Sequence, residues 1–360
     1  MVAATSTCAY IRRLPHLSAV VVTHLDQDHI AGALSLARTM TQKRGTLAAG
    51  NAPLFANRDE WYFNHPDGLW ADFNAAREAG TGVGDAARYR SVAEGNTLLY
   101  WAHSKPLPAA RSDTTPLFDE QANAQWRVRV WVVTPKHDNA VLVKLNEGWS
   151  TAHAEESTKV PYAEKKTTTG AKDSNNKSCR ITHSNIACVS LLIEFKCTQA
   201  HDAVAVGEVR RALLTGDAPQ DLILDGLLEL DKLNAHGKLH LDYLHVPHHG
   251  SSKNADANFF QTVTADVYNV TGNGRTFGDV QLPQQEVIDH IVANAPADAD
   301  GRCASQLLLS YKNAHLDDPL HAQLPDEQAH RIMPNDDRGC SHYAAVNLMT
   351  RTVTVNANDE

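Results

Sequence analysis

The sequence predicts a mixed α/β (α+β) fold, on three observations. Short β-branched and aliphatic runs recur at 18–23, 187–195, 211–215, 239–246 and 265–270, each the length of a buried strand. Helical patterns stand between several of them, at 30–44, 219–233 and 283–295. No repeat and no second core-forming segment interrupts the chain, so its 360 residues read as a single domain of layered sheet and helix.

Taken in order, residues 10–14 read as a short helical stretch, and 18–23 as a strand delivering its end to a polar loop. Ile30, Leu34, Leu36 and Ala37 then give the first helix its apolar stripe. Residues 51–125 are less regular: Trp61, Tyr62, Phe63, Trp70 and Phe73 suggest a packed aromatic cap, and 80–84 a glycine-marked loop. The run WRVRVWVVT at 126–134 alternates as a half-exposed strand does. Residues 147–180 lack apolar periodicity, and 157–180 carry six basic against two acidic residues, a local +4. This reads as a flexible basic insertion, either a solvated loop or a flap over an anionic substrate. A hairpin, 344–349 with 352–355, closes the chain.

Composition narrows the function classes. Hydrophobic residues at 42% and charged residues at 21% describe a globular protein. No apolar run approaches the roughly 20 residues that span a bilayer, and Ala19 to Val22 is too short for a secretory signal. The net charge of −9 repels nucleic acid unless a local basic patch offsets it. Six cysteines without a C-x-x-C pair read as reduced thiols of a cytoplasmic protein.

The chemistry lies in three strand ends. His24-Leu-Asp26-Gln-Asp28-His29 places four nitrogen and oxygen donors within six residues, a density suited to zinc, manganese or iron. Leu214-Thr-Gly-Asp217 ends a strand on glycine and a carboxylate, and Val246-Pro-His248-His249-Gly250-Ser251 ends another on paired histidines. Each of the latter two is weak alone; the combination is what points to a metal site. His103, His137, His201, His240 and His245 belong to no motif and read as structural or exposed.

The order H-x-D-x-D-H, then T-G-D, then P-H-H-G-S resembles the metallo-β-lactamase superfamily. It is most similar to the branch of the ComEC-type DNA-uptake hydrolase domain and the phosphorylcholine esterases, over roughly residues 11–295. The resemblance implies a four-layer αββα sandwich and two divalent metal ions, zinc or manganese with iron a further option. It puts Asp28, His29, Asp217 and one histidine of the pair, His248 in preference, at one metal. Asp217 would bridge to a second metal held by His24 and Asp26. His183 stands near where the superfamily has a further histidine ligand, although the branch's asparagine-then-serine pattern is matched there by Asn185 and Ser190. His249 would orient a ligand, donate a proton to the leaving group, or lie at the surface; with Asp28 it is the candidate catalytic residue.

The activity so implied is a phosphodiesterase or nuclease working through a metal-bound hydroxide between ions about 3.5–4 Å apart. The alternatives are a hydrolase of small-molecule or cell-wall phosphodiesters, and a non-catalytic binding subunit retaining the fold. Two departures accompany the match. Only 23 residues precede His24, so the superfamily's first strands are expected from a longer chain or from a partner chain, or their absence leaves an edge exposed. Phe277-Gly278-Asp279 stands where the branch has Gly-His-Pro.

Overall fold

The computed structural model describes residues 20–24, 29, 33, 61–63, 105–106, 115–134, 185, 188–200, 204–272, 276–277, 280–297, 299, 303–309, 316, 329–331, 342–348 and 352–357. Numbered in chain order, the strands are β1 (Val20–Val22), β2 (Trp61–Phe63), β3 (Lys105–Pro106), β4 (Phe118–Gln121), β5 (Trp126–Thr134), β6 (Ser190–Cys197), β7 (Val209–Leu214), β8 (Leu239–His245), β9 (Val263–Val270), β10 (Thr276–Phe277), β11 (Val280–Gln281), β12 (Gln306–Leu309), β13 (Ala329–Arg331), β14 (His342–Asn347) and β15 (Thr352–Ala357). The helices are α1 (Gln220–Glu229), α2 (Ala257–Thr262) and α3 (Gln285–Asn294).

The fold is mixed α/β. An eight-stranded sheet runs β13-β12-β9-β8-β7-β6-β5-β4. Its first five strands are mutually parallel, and β7, β6, β5 and β4 then alternate in direction. Parallel neighbours need crossovers, supplied by α1 between β7 and β8 and α2 between β8 and β9. This topology puts the C-terminal ends of β7, β8 and β9 on one edge, with the start of β6 and the end of β5 beside them. The smaller parallel sheet β1-β2-β3 is tied to that edge where Val189 N donates to Thr23 O at 2.8 Å.

The period of two along β5 to β7 divides the core between two faces. Trp131, Val133, Leu192 and Leu213 pack with Ile223 and Leu227 of α1, Phe259 and Phe260 of α2, and Val287, Ile288 and Ile291 of α3. Val130, Val132, Leu191 and Leu214 point the other way, towards Val21 of β1 and Tyr62 of β2. Gly226 lets α1 come close to the sheet: a Cβ there would stand 2.1 Å from Val133 O. Asp256 caps α2, its side chain accepting from the backbone N–H of Asn258 and Phe259.

Several elements differ from the sequence expectation for identifiable reasons. Trp61 to Phe63 form a strand, β2, where the sequence suggested only an aromatic cluster. β5 is half-exposed at its outer end, where Asp119 pairs with Arg127 and Arg129, but buried near the edge that meets both cores. α1 ends at Glu229, four residues early, because Asp231 adopts φ 52°; Leu230 and Leu233 still pack on the core and so mimic helical periodicity. β6 starts at Ser190 because the Cys188 N–H bonds Asn185 O and that of Val189 bonds β1's end. The closing hairpin forms as expected, with its first strand, β14, two residues earlier and its second, β15, two residues longer. The stretches 10–14, 80–84 and 147–180, Trp70 and Phe73 lie outside the described residues; of the first helix only His29 and Ala33 are described, both helical.

Beneath the helix-covered face, Glu194 accepts from Trp131 Nε1 at 2.8 Å, Lys232 Nζ at 2.9 Å and Arg211 Nε at 3.2 Å. Lys232 also lies 3.8 Å from the Trp131 ring centre. Burial pulls this carboxyl up, but Lys232, Trp131 and Arg211 outweigh it and leave it below the usual range. A depressed carboxyl stabilises the fold above its unfolded value of 4.5, and that contribution is lost as pH falls through the lower folded value. Glu194→Ala should cost about 1–3 kcal/mol at pH 7, because it leaves the buried Trp131 N–H and the half-buried Lys232 without their acceptor, Arg211 being more exposed. Urea melts should give a wild-type-to-variant gap that narrows steadily below pH 4.5.

Candidate metal centre

The centre forms where β1, β7 and β8 end. β1 continues through Thr23 to His24, 3% exposed, and the chain has become helical by His29. β7 runs through Thr215 to Gly216, whose φ of 53° swings Asp217 back beneath the sheet edge, 2% exposed. β8 passes through Val246 into a 3-10-type turn, Pro247–Gly250, in which His248 and His249 are both left-handed, at φ 47° and 56°. That conformation costs an ordinary residue about 1–2 kcal/mol.

Four imidazole Nε2 atoms converge on the Asp217 carboxylate. His24 and His248 stand 3.5 and 3.4 Å from Oδ2; His29 and His249 stand 3.2 and 3.8 Å from Oδ1. His29 Nε2 and His249 Nε2 face each other at 3.3 Å. The opposite nitrogen of every ring meets the scaffold. Thr23 Oγ1 lies 3.1 Å from Nδ1 of His24 and 3.4 Å from Nδ1 of His29. Asn254 Oδ1 lies 2.7 Å from Nδ1 of His248, and Thr271 Oγ1 2.8 Å from Nδ1 of His249. Asn254 also donates through Nδ2 to Asp217 O at 2.9 Å, so one amide ties the two motif loops together. The fully buried Cys188 thiol accepts from Asp217 N at 3.2 Å and lies 3.5 Å from His24 Nδ1. Ser190 Oγ donates to Thr215 O at 2.7 Å, holding the start of the Asp217 turn.

This geometry fits a cation. Three of the four carboxylate-to-imidazole distances, 3.4 to 3.8 Å, are long for hydrogen bonds, and buried Asp217 Oδ1 receives no aligned one. Two donors bound about 2.0–2.1 Å from one tetrahedral ion lie about 3.3 Å apart, which is the spacing seen here. Among the described residues, His24, His29 and Asp217 offer ligand atoms all within 4.8 Å of one another. Burial raises the Asp217 carboxyl, but the close approach of the His24 and His29 imidazoles and the charge of His248 outweigh it and hold it well below the usual range. Asp217 is therefore an anion ringed by nitrogen donors. No protein-family model matches this chain.

Of the residues singled out by sequence, His24, His29, Asp217, His248 and His249 come together, while Asp26, Asp28 and His183 lie outside the described residues, as do His103, His137 and His201. By nearest oxygen, His248 and His24 stand at Oδ2, and His249 and His29 at Oδ1. Asn185, 3% exposed, comes within 3.2 Å of His248 Nδ1. Phe277 belongs to the short antiparallel pair β10–β11, and Gly278 and Asp279 are not described. His240 is exposed beside Asp266, whereas His245 reaches the centre through Thr271. Sequence reasoning missed Thr23, Asn254, Thr271 and His245. Thr271 had a usable signal, since it directly follows β9 as Thr23 follows β1 and Thr215 follows β7.

A Cβ at Gly216 would stand 2.5 Å from Cys188 Sγ. Gly216→Ala should therefore lower stability by about 2–3 kcal/mol, through that clash and the left-handed backbone together. Adding Cys188→Ala should recover part of the loss, since it relieves the clash alone; thermal melts of both variants, with Cys188→Ala by itself as the reference, check both steps.

Proposed function

We propose that this chain is a metal-dependent hydrolase of phosphodiesters, built on the αββα architecture of the metallo-β-lactamase superfamily and holding two divalent cations about Asp217. The observation that carries this reading is the shared orientation of four histidines, each with Nδ1 against the scaffold and Nε2 towards one carboxylate. Helices on one face of the large sheet and β1 with β2 on the other support the architecture.

His24, His248 and Asp217 Oδ2 would hold one ion, and His29, His249 and Oδ1 the other. Asp26 and Asp28, from the same motif, add carboxylate donors. Nitrogen and oxygen together suit zinc, manganese or iron. Ions bound there supply Lewis acidity and lower the pKa of water from 15.7 towards about 7. The protein's own part is preorganisation. Asp217 is kept ionised at depth, and the scaffold hydroxyls and Asn254 fix the rings before substrate arrives. The His24 side chain is 1% exposed and that of His248 30%, so the centre is closed beneath and open on the β8 side, where a substrate would approach.

A nucleic-acid substrate is supported by the basic stretch 157–180; a compact small-molecule or cell-wall phosphodiester is favoured by the net charge of −9. Elemental mass spectrometry of tag-free protein should find one to two equivalents of zinc, manganese or iron, and Asp217→Ala should lose them all. Full metal content in that variant would sink the assignment. Metal-loaded protein should hydrolyse bis-nitrophenyl phosphate, and competition by single-stranded DNA would separate the two substrate classes. Absence of turnover in the loaded protein would leave a binding subunit.

A further inference from the structure

His245 is the last residue of β8 and three residues before the histidine pair. It faces no ion position directly, yet both its ring nitrogens are engaged. Nδ1 lies 3.2 Å from Thr215 Oγ1, and Nε2 lies 3.3 Å from Thr271 Oγ1. The direction of this chain follows from its anchor. Thr215 Oγ1 is 2.6 Å from the His245 carbonyl oxygen, which can only accept, so the hydroxyl proton goes there; its contact with Gly216 O, at 3.3 Å, is longer. A hydroxyl has one proton. Thr215 Oγ1 must therefore accept from His245 Nδ1–H, which leaves a lone pair on Nε2 of the neutral ring. Thr271 donates its proton to that lone pair and in turn accepts from His249 Nδ1–H at 2.8 Å.

We propose that His245 is a positioning residue that, through Thr271, fixes His249 as the Nδ1–H tautomer and so keeps its Nε2 lone pair turned to the Asp217 Oδ1 side. The proposal rests on the metal-centre reading for its consequence, but the tautomer is a property of the protein alone. Burial, with His249 and His29 nearby, pushes His245 down to about 4, so the neutral ring the chain requires is the form present at neutral pH. Were the chain reversed, Thr271 would donate to His249 Nδ1 and the proton would sit on Nε2, where it blocks ligation.

Three variants, read against the wild type, test this. Thr271→Val removes the hydroxyl with little change of shape. His245→Asn keeps a donor for Thr215 but is too short to accept from Thr271, whereas His245→Gln restores an acceptor where Nε2 was. The readouts are the histidine 15N spectrum of the metal-free protein, with the His249 signals assigned by their loss in His249→Gln, and affinity for Zn2+ measured by competition with a chelating dye. In the wild type His249 should be the Nδ1–H tautomer. Thr271→Val and His245→Asn should shift it towards Nε2–H and weaken one Zn2+ equivalent by about 10–100-fold, with His245→Gln close to wild type. If His249 keeps the Nδ1–H tautomer in Thr271→Val and His245→Asn, the proposal is overturned. If the wild type binds no Zn2+ but the tautomer shifts as expected, the relay stands and the metal-centre reading falls.

Discussion

The carboxylate of Asp217 is the constraint to which the surrounding structure answers. It is buried to 2% exposure and ionised, so it must be compensated in place. An unpaired charge at that depth costs several kcal/mol. The fold sets four imidazole nitrogens around it from two other segments, residues 24–29 and 248–249, where they can hold a cation against it. None of those segments contacts the carboxylate merely by sequence proximity. It is the shared strand edge, set by the parallel β7, β8 and β9 with β1 tied on through Val189, that assembles them.

Rigidity at the centre comes from a second ring of partners that never face the carboxylate. Thr23 serves two histidines, Asn254 joins His248 to the Asp217 backbone, and Cys188 fills the space beneath Gly216 while accepting from Asp217 N. Each is neutral, so the ring orients donors without adding charge that would compete with a cation. A buried thiol suits this place: it is small, fully enclosed and a weak acceptor.

What could be read from the sequence was local. The three motifs declare themselves because strand, turn and donor lie within a few residues, and the strands β5 to β9 follow from apolar runs. The short helix α2 was illegible because six residues give no helical period, and β2 because its aromatic residues are as consistent with a cap as with a strand. The second ring was illegible for a different reason. Asn254 finds His248 across a turn, Thr271 finds His249 across a parallel strand pair, and Cys188 finds Asp217 across an antiparallel one. Such partners are fixed by register, which alternation of apolar residues constrains only once the neighbouring strand is known.

The paired histidines show the same limit most sharply. In extended chain, successive side chains point to opposite faces, so strand geometry would allow only one of His248 and His249 to reach Asp217. The family resemblance likewise placed only one of them, His248 in preference, at an ion. The structure brings both, with ring centres 5.9 Å apart, because the two residues leave the strand in left-handed conformation. That turn carries a cost of about 1–2 kcal/mol for each residue. It is offset locally, as His248 N donates to Gly216 O at 3.0 Å, Ser251 N closes on His248 O at 3.0 Å, and each ring has a partner at Nδ1. Backbone strain at a strand end has therefore a definite return here: it converts an alternating pair into two donors facing the two oxygens of one carboxylate.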